Sequence, residues 1–119
     1  PDIAQTIAVT CFGLGLSCDL YGLHTLKIKE TDRLEALKVE LTKLGAVVKV
    51  TKDSFHLKKH SKIIANVIIE TYNDHRMAMA FTPLAICQPI IINNPGVVSK
   101  SFPDFWTRLK EMNFIISKI

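Results

Sequence analysis

Charged residues capable of chemistry gather at the predicted starts of four helices. They are Asp2, then Lys29, Glu30 and Arg33, then His75 and Arg76, and finally Lys100. A helix N-terminus presents free backbone N–H groups and the positive end of the helix dipole, so it attracts anions and disfavours cations. Arg33, Arg76 and Lys100 therefore stand where stability alone favours acidic residues, and such conflicts are typical of functional sites. If the helix starts converge, they form an anion pocket in which Asp2 and Glu30 are available for proton transfer.

Several of these residues also have an ordinary structural interpretation. Asp2 can serve as a simple N-cap, and Glu30 with Asp32 can complement a helix dipole. Lys29 and Lys100 can be solvated loop residues, which is the usual environment of lysine. The residue types alone leave these alternatives open.

Arg76 is harder to explain structurally, because the helix predicted around it is otherwise apolar. A buried guanidinium needs an anionic partner, and the neighbouring candidates are Asp74 and Glu70. A structural ion pair is therefore the alternative to ligand binding at Arg76. His75 is more typical of a hydrogen-bonded structural histidine than of a proton shuttle.

Five lysines surround a predicted β-hairpin. They are Lys49, Lys52, Lys58, Lys59 and Lys62. The chain has 15 Lys and Arg against 11 Asp and Glu, and its whole excess of +4 lies in residues 49–62. A nucleic-acid-binding module is thus an alternative function, but this stretch contains no Arg and a single aromatic residue, Phe55. A solvated hairpin face explains it better.

Composition and missing motifs narrow the class of protein. With 119 residues, 48% of them hydrophobic and 22% charged, the chain fits a soluble globular domain or a large piece of one. It shows no Gly-rich phosphate loop, no Ser-His-Asp or Cys-His pattern and no metal cluster. The longest stretch without formal charge, residues 77–99, contains three prolines and cannot form a membrane helix. Three cysteines in apolar surroundings and no signal-type N-terminal run favour reduced thiols and a cytoplasmic location.

Hydrophobic periodicity predicts the elements that must position the charged residues. Helices are expected at residues 3–14, 32–44 and 75–85, and in a last segment carrying Phe105, Trp106, Leu109 and Met112. Strands are expected at residues 19–21, 46–50, 54–57, 67–71, 90–92 and 97–98. This order is a mixed α/β pattern with hairpins and crossovers, and no linker rich in Pro, Gly or Ser divides it. The chain opens directly on a helix, so we expect it to start inside this pattern.

Local residues also predict how these helices begin, end and face. The first helix, apolar almost all round, is expected to be buried. In the second helix, Glu35, Lys38, Glu40 and Lys43 form the polar face, and Gly45 is the C-terminal stop. Pro83 is expected to bend or shorten the third helix. Ser101 and Asp104 have the spacing of a capping box before the fourth helix.

Four sequence runs together carry a family resemblance. They are PDIA at 1–4, KETDR at 29–33, NDHRMAMA at 73–80 and SKSFPDF at 99–105. In this order and spacing they resemble the C-terminal part of the 5-enolpyruvylshikimate-3-phosphate synthase family (3-phosphoshikimate 1-carboxyvinyltransferase). The resemblance implies an inside-out α/β barrel of two domains built from βαβαββ units. Residues 1–119 would then form the C-terminal part of one domain, without an internal boundary.

The same resemblance implies a reaction and the residues that serve it. The family transfers the enolpyruvyl group of phosphoenolpyruvate to the 5-hydroxyl of shikimate 3-phosphate and releases phosphate, without a metal or cofactor. By resemblance, Asp2 accepts the hydroxyl proton and Glu30 serves the enolpyruvyl methylene. The substrate-binding residues implied are Asp2 and Lys29 for shikimate 3-phosphate, and Arg33, Arg76 and Lys100 for phosphoenolpyruvate, with His75 helping to orient the site. Glyphosate binding at Glu30, Arg33, Arg76 and Lys100 is also implied.

Further expectations follow from what this chain lacks relative to the family pattern. The other wall of the cleft is not in these residues, so we expect the chain alone to be inactive and to self-associate through uncovered apolar surface. Thr25 stands where some members carry an Asn, and it receives no role. A fragment similar to UDP-N-acetylglucosamine enolpyruvyltransferase is the alternative within the same superfamily, although the KETDR run favours the shikimate enzyme. We expect small-molecule substrates and no nucleic-acid or membrane partner.

Overall fold

A computed structural model describes residues 3–23, 33–59 and 62–117. Asp2, Thr25, Lys29, Glu30 and Asp32 lie outside these ranges, so the predictions made for them stay predictions. The helices are α1 (Ala4–Gly13), α2 (Arg33–Lys43), α3 (His75–Phe81) and α4 (Phe105–Glu111). The strands are β1 (Cys18–Leu20), β2 (Val48–Val50), β3 (Phe55–Leu57), β4 (Val67–Ile69) and β5 (Ile90–Ile92). Two 3-10 helices span Thr82–Ile86 and Pro95–Val98.

The predicted hairpin is part of a three-stranded antiparallel sheet, in which its second strand is central. Its strand order is β1-β3-β2, and β3 pairs with both neighbours. Side chains alternate across a strand, so Phe55 and Leu57 enter the core while His56 stays half-buried. β2 and β3 are joined by a turn at Lys52 and Asp53, as the sequence predicts.

A second sheet pairs β4 with β5 in parallel, in the register Val67 with Ile90 and Ile69 with Ile92. Parallel strands require a crossover, and α3 with the first 3-10 helix provides it. The antiparallel hairpin and this crossover together confirm the mixed α/β class.

The core forms where α1 packs against α3. Ala8, Phe12, Met77 and Phe81 are among its fully buried members, as expected for two strongly apolar helices. The prediction that α1 is buried holds for one face only, because Ile3, Ile7 and Leu14 face outward and are exposed. These three residues share one face of the helix.

Glycine and proline end the second and third helices as predicted. Gly45 has a φ of 105° just after α2, and the N–H of Ala46 donates to the Leu41 carbonyl at 3.0 Å. This left-handed residue closes the helix in the way that favours glycine. α3 keeps α-helical geometry only to Phe81, and Pro83 lies in the 3-10 helix that continues it.

Three sequence predictions are wrong in detail. Residues 97–98 form the end of a 3-10 helix instead of a strand, because Asn94 adopts a left-handed φ of 56° and turns the chain after β5. Asp104 is itself the N-cap of α4 and makes no side-chain cap hydrogen bond, so the capping box with Ser101 does not form. Met112 is the exposed C-cap of α4, and Leu109 is the buried residue of this helix.

Glu40 also departs from expectation, since it is fully buried although the helical pattern puts it on the polar face of α2. The three cysteines are free thiols, as expected. Burial, with the Cys11 thiol nearby, raises the pKa of Cys18 to about 12. Across the described ranges, every helix is too short or too polar to span a membrane.

Candidate anion-binding site

Asp74 is the acceptor around which the candidate site is built. It is the N-cap of α3, and its Oδ1 accepts the backbone N–H of Arg76 at 2.9 Å. The whole residue is buried, with 0% of its surface exposed. An Asp at this position satisfies a helix N–H that would otherwise lack an acceptor.

The other oxygen of Asp74 meets the first turns of two more helices. Arg33, the first residue of α2, places Nε 3.0 Å from Asp74 Oδ2, and both side chains are 1% exposed. Gln5, in the first turn of α1, donates from Nε2 to the same oxygen at 3.4 Å. Three of the four helix starts therefore converge on one carboxylate.

This cluster retains buried polar atoms without hydrogen-bond partners among the described residues. They are Nε and Nη1 of Arg33 and Oε1 of Gln5. The Nε atom is close to Asp74, but its N–H is not aligned for a hydrogen bond, so that contact is an ion pair. A buried donor without an acceptor is costly, especially on a charged group. The Arg33 guanidinium thus has donor capacity left for an additional anion.

Arg76 is half-buried in the first turn of α3, and its guanidinium forms no ion pair with the described residues. The predicted structural partners are both engaged elsewhere. Asp74 pairs with Arg33, and Glu70 accepts two hydrogen bonds from Asn93 Nδ2 at 2.6 and 2.9 Å. The structural explanation offered for Arg76 therefore fails within the described part of the chain.

The remaining described candidates lie at different depths. His75 is half-buried as the first residue of α3, and Lys100 is exposed just after the second 3-10 helix, which packs against α3. Asp2, Lys29 and Glu30 lie outside the described residues, so their positions relative to Asp74 are not assigned.

Sequence reasoning missed the central role of Asp74 and the contribution of Gln5. The sequence suggested Asp74 as a partner of Arg76. Gln5 is a polar residue on the buried face of α1, which includes Ala8, Val9 and Phe12 at helical spacing. An amide on such a face needs a buried partner, and this pattern is the signal that could have found it.

A chain of hydrogen bonds that the sequence did not predict joins Ser54, His56 and Asp19. Ser54 Oγ lies 2.9 Å from His56 Nε2, and His56 Nδ1 lies 2.7 Å from Asp19 Oδ1. Ser54 is buried at 4% exposure, and its hydroxyl also bonds Thr51. A buried hydroxyl that is already hydrogen-bonded is not accessible to a substrate. We therefore interpret these hydrogen bonds as a structural connection between β1 and β3.

The five hairpin lysines are all exposed. They lie on or beside β2 and β3, outside the Asp74 cluster, and are Lys49, Lys52, Lys58, Lys59 and Lys62. This exposure agrees with the solvated face that the sequence predicts.

Comparison with known proteins gives a consistent family. The family model described as EPSP synthase (3-phosphoshikimate 1-carboxyvinyltransferase) matches residues 1–109. A 3-phosphoshikimate 1-carboxyvinyltransferase from Bacteroides fragilis (strain YCH46) is 48% identical over 117 residues, covering 96% of this chain and 28% of the relative. One from Aliivibrio salmonicida is 40% identical, covering 95% of this chain and 26% of the relative.

A solved structure supports the fold. EPSP synthase from Acinetobacter baumannii matches with a TM-score of 0.77 and 26% identity, over 90% of this chain and 26% of that protein. The chain therefore spans about a quarter of the length of the proteins it resembles.

Proposed function

The chain belongs to the EPSP synthase family, and on this premise we propose that it forms part of a 3-phosphoshikimate 1-carboxyvinyltransferase. The proposed enzyme transfers the enolpyruvyl group of phosphoenolpyruvate to shikimate 3-phosphate and releases phosphate. Residues 1–119 form the C-terminal part of one of its two domains and one wall of its active site. The enzyme works in the cytoplasm on small molecules, without a nucleic-acid or membrane partner.

The observation that carries this proposal is the buried guanidinium of Arg33 at the point where three helices begin. Its Nη1 donor has no acceptor among the described residues, and Arg76 lies in the first turn of α3, which the shared Asp74 caps. Phosphoenolpyruvate carries a carboxylate and a phosphate, and both anions suit guanidinium groups and helix N-termini. The cluster therefore has the chemistry that this substrate requires.

Arg33, Arg76 and Lys100 bind phosphoenolpyruvate in this proposal. The Arg33 side chain is 1% exposed, so it contacts the ligand through the buried Nη1 donor of its guanidinium. Arg76 has no competing ion pair among the described residues, and a planar guanidinium can hold two anionic oxygens at once. Lys100, which is exposed just after the second 3-10 helix, adds a point charge. His75 helps to orient the site.

Asp2, Lys29 and Glu30 complete the proposed chemistry. Addition of the sugar hydroxyl to the enolpyruvyl double bond needs a base at the hydroxyl and an acid at the methylene carbon. We assign the first role to Asp2 and the second to Glu30, while Lys29 holds the phosphate of shikimate 3-phosphate. In the elimination step, Glu30 takes back the methylene proton as phosphate departs.

The test uses the full-length protein that contains these 119 residues. Phosphate release should depend on both substrates, and Arg76→Lys should raise the KM for phosphoenolpyruvate by about tenfold or more, because a point charge replaces a two-pronged donor. Arg108→Lys is the matched control, since Arg108 is exposed on α4 and pairs only with Glu111 at 3.3 Å among the described residues. It should leave both KM values unchanged.

The outcomes separate the proposal from its alternatives. Absence of phosphate release by the full-length protein, or an Arg76→Lys variant with unchanged KM, would contradict it. The 119 residues alone should show no turnover, because one wall cannot enclose both substrates. Substrate-dependent turnover by this chain alone would overturn the assignment of a single wall.

A further inference from the structure

Glu40 is a fully buried carboxylate for which the proposed reaction has no use. It lies on α2, two turns after Arg33, and is 0% exposed. A buried carboxylate is stable only when its oxygens are paired or hydrogen-bonded. The groups that bond Glu40 therefore show what its burial achieves.

Among the described residues, three groups donate hydrogen bonds to Glu40. Its Oε1 accepts from Lys43 Nζ at 2.7 Å and from the backbone N–H of Glu70 at 2.9 Å. Its Oε2 accepts from the Tyr72 hydroxyl at 2.6 Å. Lys43 also donates to the Ile68 carbonyl at 3.2 Å. The carboxylate thus fastens α2 to the segment that leads from β4 into α3, and its partner Lys43 adds the contact to β4 itself.

That segment has an unfavourable backbone. Tyr72 and Asn73 have φ values of 55° and 53°, so two consecutive residues with side chains are left-handed. This region is costly for Tyr in particular, and such conformations persist only where the surroundings fix them. Asp74 comes next, and it holds Arg33 and the N–H of Arg76.

We propose that Tyr72, through its hydrogen bond to Glu40, is a positioning residue that fixes the left-handed turn and thereby sets the place of Asp74 and Arg76. Tyr72 does not touch the ligand in this assignment. The hydrogen bond from its hydroxyl restrains the turn by holding it at a fixed distance from α2. This is the same helix that begins with Arg33. The guanidinium groups of Arg33 and Arg76 are then both held in place relative to α2. This inference rests on the proposed function for its kinetic consequence, and on geometry alone for its structural one.

The protonation of Tyr72 suits this role. Burial, followed by the hydrogen bond to the Glu40 carboxylate, raises the pKa of the phenol above its ordinary value. A group with a raised pKa keeps its proton longer as the pH rises. Tyr72 therefore remains a donor across neutral and moderately alkaline pH.

The test compares Tyr72→Phe with Tyr21→Phe in the full-length protein. Both changes delete one phenolic hydroxyl, but Tyr21 is 72% exposed and makes a T-shaped ring contact with His56. Tyr72→Phe should raise the KM for phosphoenolpyruvate by about tenfold, the value of one hydrogen bond to a charged group, while kcat and the KM for shikimate 3-phosphate stay within about twofold. Tyr21→Phe should change none of the three.

Amide hydrogen exchange provides a readout that does not depend on catalysis. The N–H of Arg76, bonded to Asp74, should exchange about tenfold faster in Tyr72→Phe and at the original rate in Tyr21→Phe. If the original protein shows no turnover, the proposed function fails, and faster exchange still supports the positioning role. Unchanged exchange at Arg76 overturns it. So does a Tyr72→Phe variant that loses stability while both KM values move together or not at all.

Discussion

At the scale of single residues, Asp74 combines two requirements that are usually met separately. It caps α3 through Oδ1 and neutralises Arg33 through Oδ2. The capping role can be read from the run of Asn73 and Asp74 before an apolar helix. The pairing with Arg33 cannot, because it joins residues 41 positions apart and depends on how α2 packs.

The substitution Asp74→Asn separates these two roles. Asparagine still caps a helix well, but it leaves the Arg33 charge buried without a counter-ion. We expect the free energy of unfolding to fall by about 3–5 kcal/mol, the usual cost of breaking a buried ion pair. Urea titration of dilute protein measures this change.

Asp104→Asn is the control for Asp74→Asn. Asp104 is the exposed N-cap of α4 and makes no side-chain cap bond, so its replacement should change stability by less than about 0.5 kcal/mol. Equal effects at both positions would mean that the Arg33 pair contributes nothing beyond capping.

The sequence exposed the conflict at Arg76 but not the burial of Glu40. A cation at the start of an apolar helix breaks a local rule, and local rules are visible in one sequence. Glu40 obeys its local rule, since it falls on the polar face of α2, and it becomes buried only because Tyr72 and the Glu70 backbone approach it. Burial caused by distant segments leaves no periodic trace.

At the scale of elements, the sequence predicted the type of a helix or strand well where the local signals were strong. It predicted the type of very short segments poorly. The helix that stops before Gly45 and the hairpin through Phe55 follow from turn residues and periodicity. Residues 97–98 are two β-branched residues that read as a strand, yet the left-handed Asn94 redirects the chain and they finish a 3-10 helix. A pair of residues carries too little periodicity to outweigh the turn before it.

The substitution Gly45→Ala tests the end of α2. The φ of 105° is strained for any residue with a Cβ, and neighbouring side-chain atoms of Ile64 begin 3.6 Å from the position of that Cβ. We expect a loss of about 1–2 kcal/mol from the left-handed backbone, since the space itself is adequate. Chemical denaturation measures this loss.

Gly96→Ala is the matched control for Gly45→Ala. A Cβ at Gly96 meets no atom within 4 Å, and the residue lies in the second 3-10 helix without a positive φ. It should be neutral to within about 0.5 kcal/mol. A neutral Gly45→Ala would show that the helix end relaxes to another conformation.

At the scale of the whole molecule, the family resemblance predicted more site residues than the described part of the structure positions. Four motifs predicted the family, which the match over residues 1–109 confirms. Three helix starts meet at Asp74, as the dipole conflict suggested, while Asp2, Lys29 and Glu30 lie outside the described residues. Their roles in proton transfer and phosphate binding therefore stay predictions.

The outer face of α1 leads to a prediction about association. Ile3, Ile7 and Leu14 form an exposed apolar face, and the chain spans only about a quarter of the length of its relatives. Apolar patches on soluble proteins usually mark contact surfaces, so we expect the 119 residues alone to self-associate through α1. Light scattering should give an average mass that rises with protein concentration.

Paired variants locate the contact surface. Replacing Ile7 and Leu14 together by Lys should shift the chain toward monomer, because charges on α1 would have to be buried in the contact. Replacing Val47 and Ile64 by Lys adds the same two charges at exposed aliphatic residues on another surface and should leave the mass unchanged. If both double variants become monomeric, net charge controls association and α1 has no special role. A monomer at high concentration for the unsubstituted chain contradicts the prediction outright, since the exposed face of α1 would then be tolerated in water.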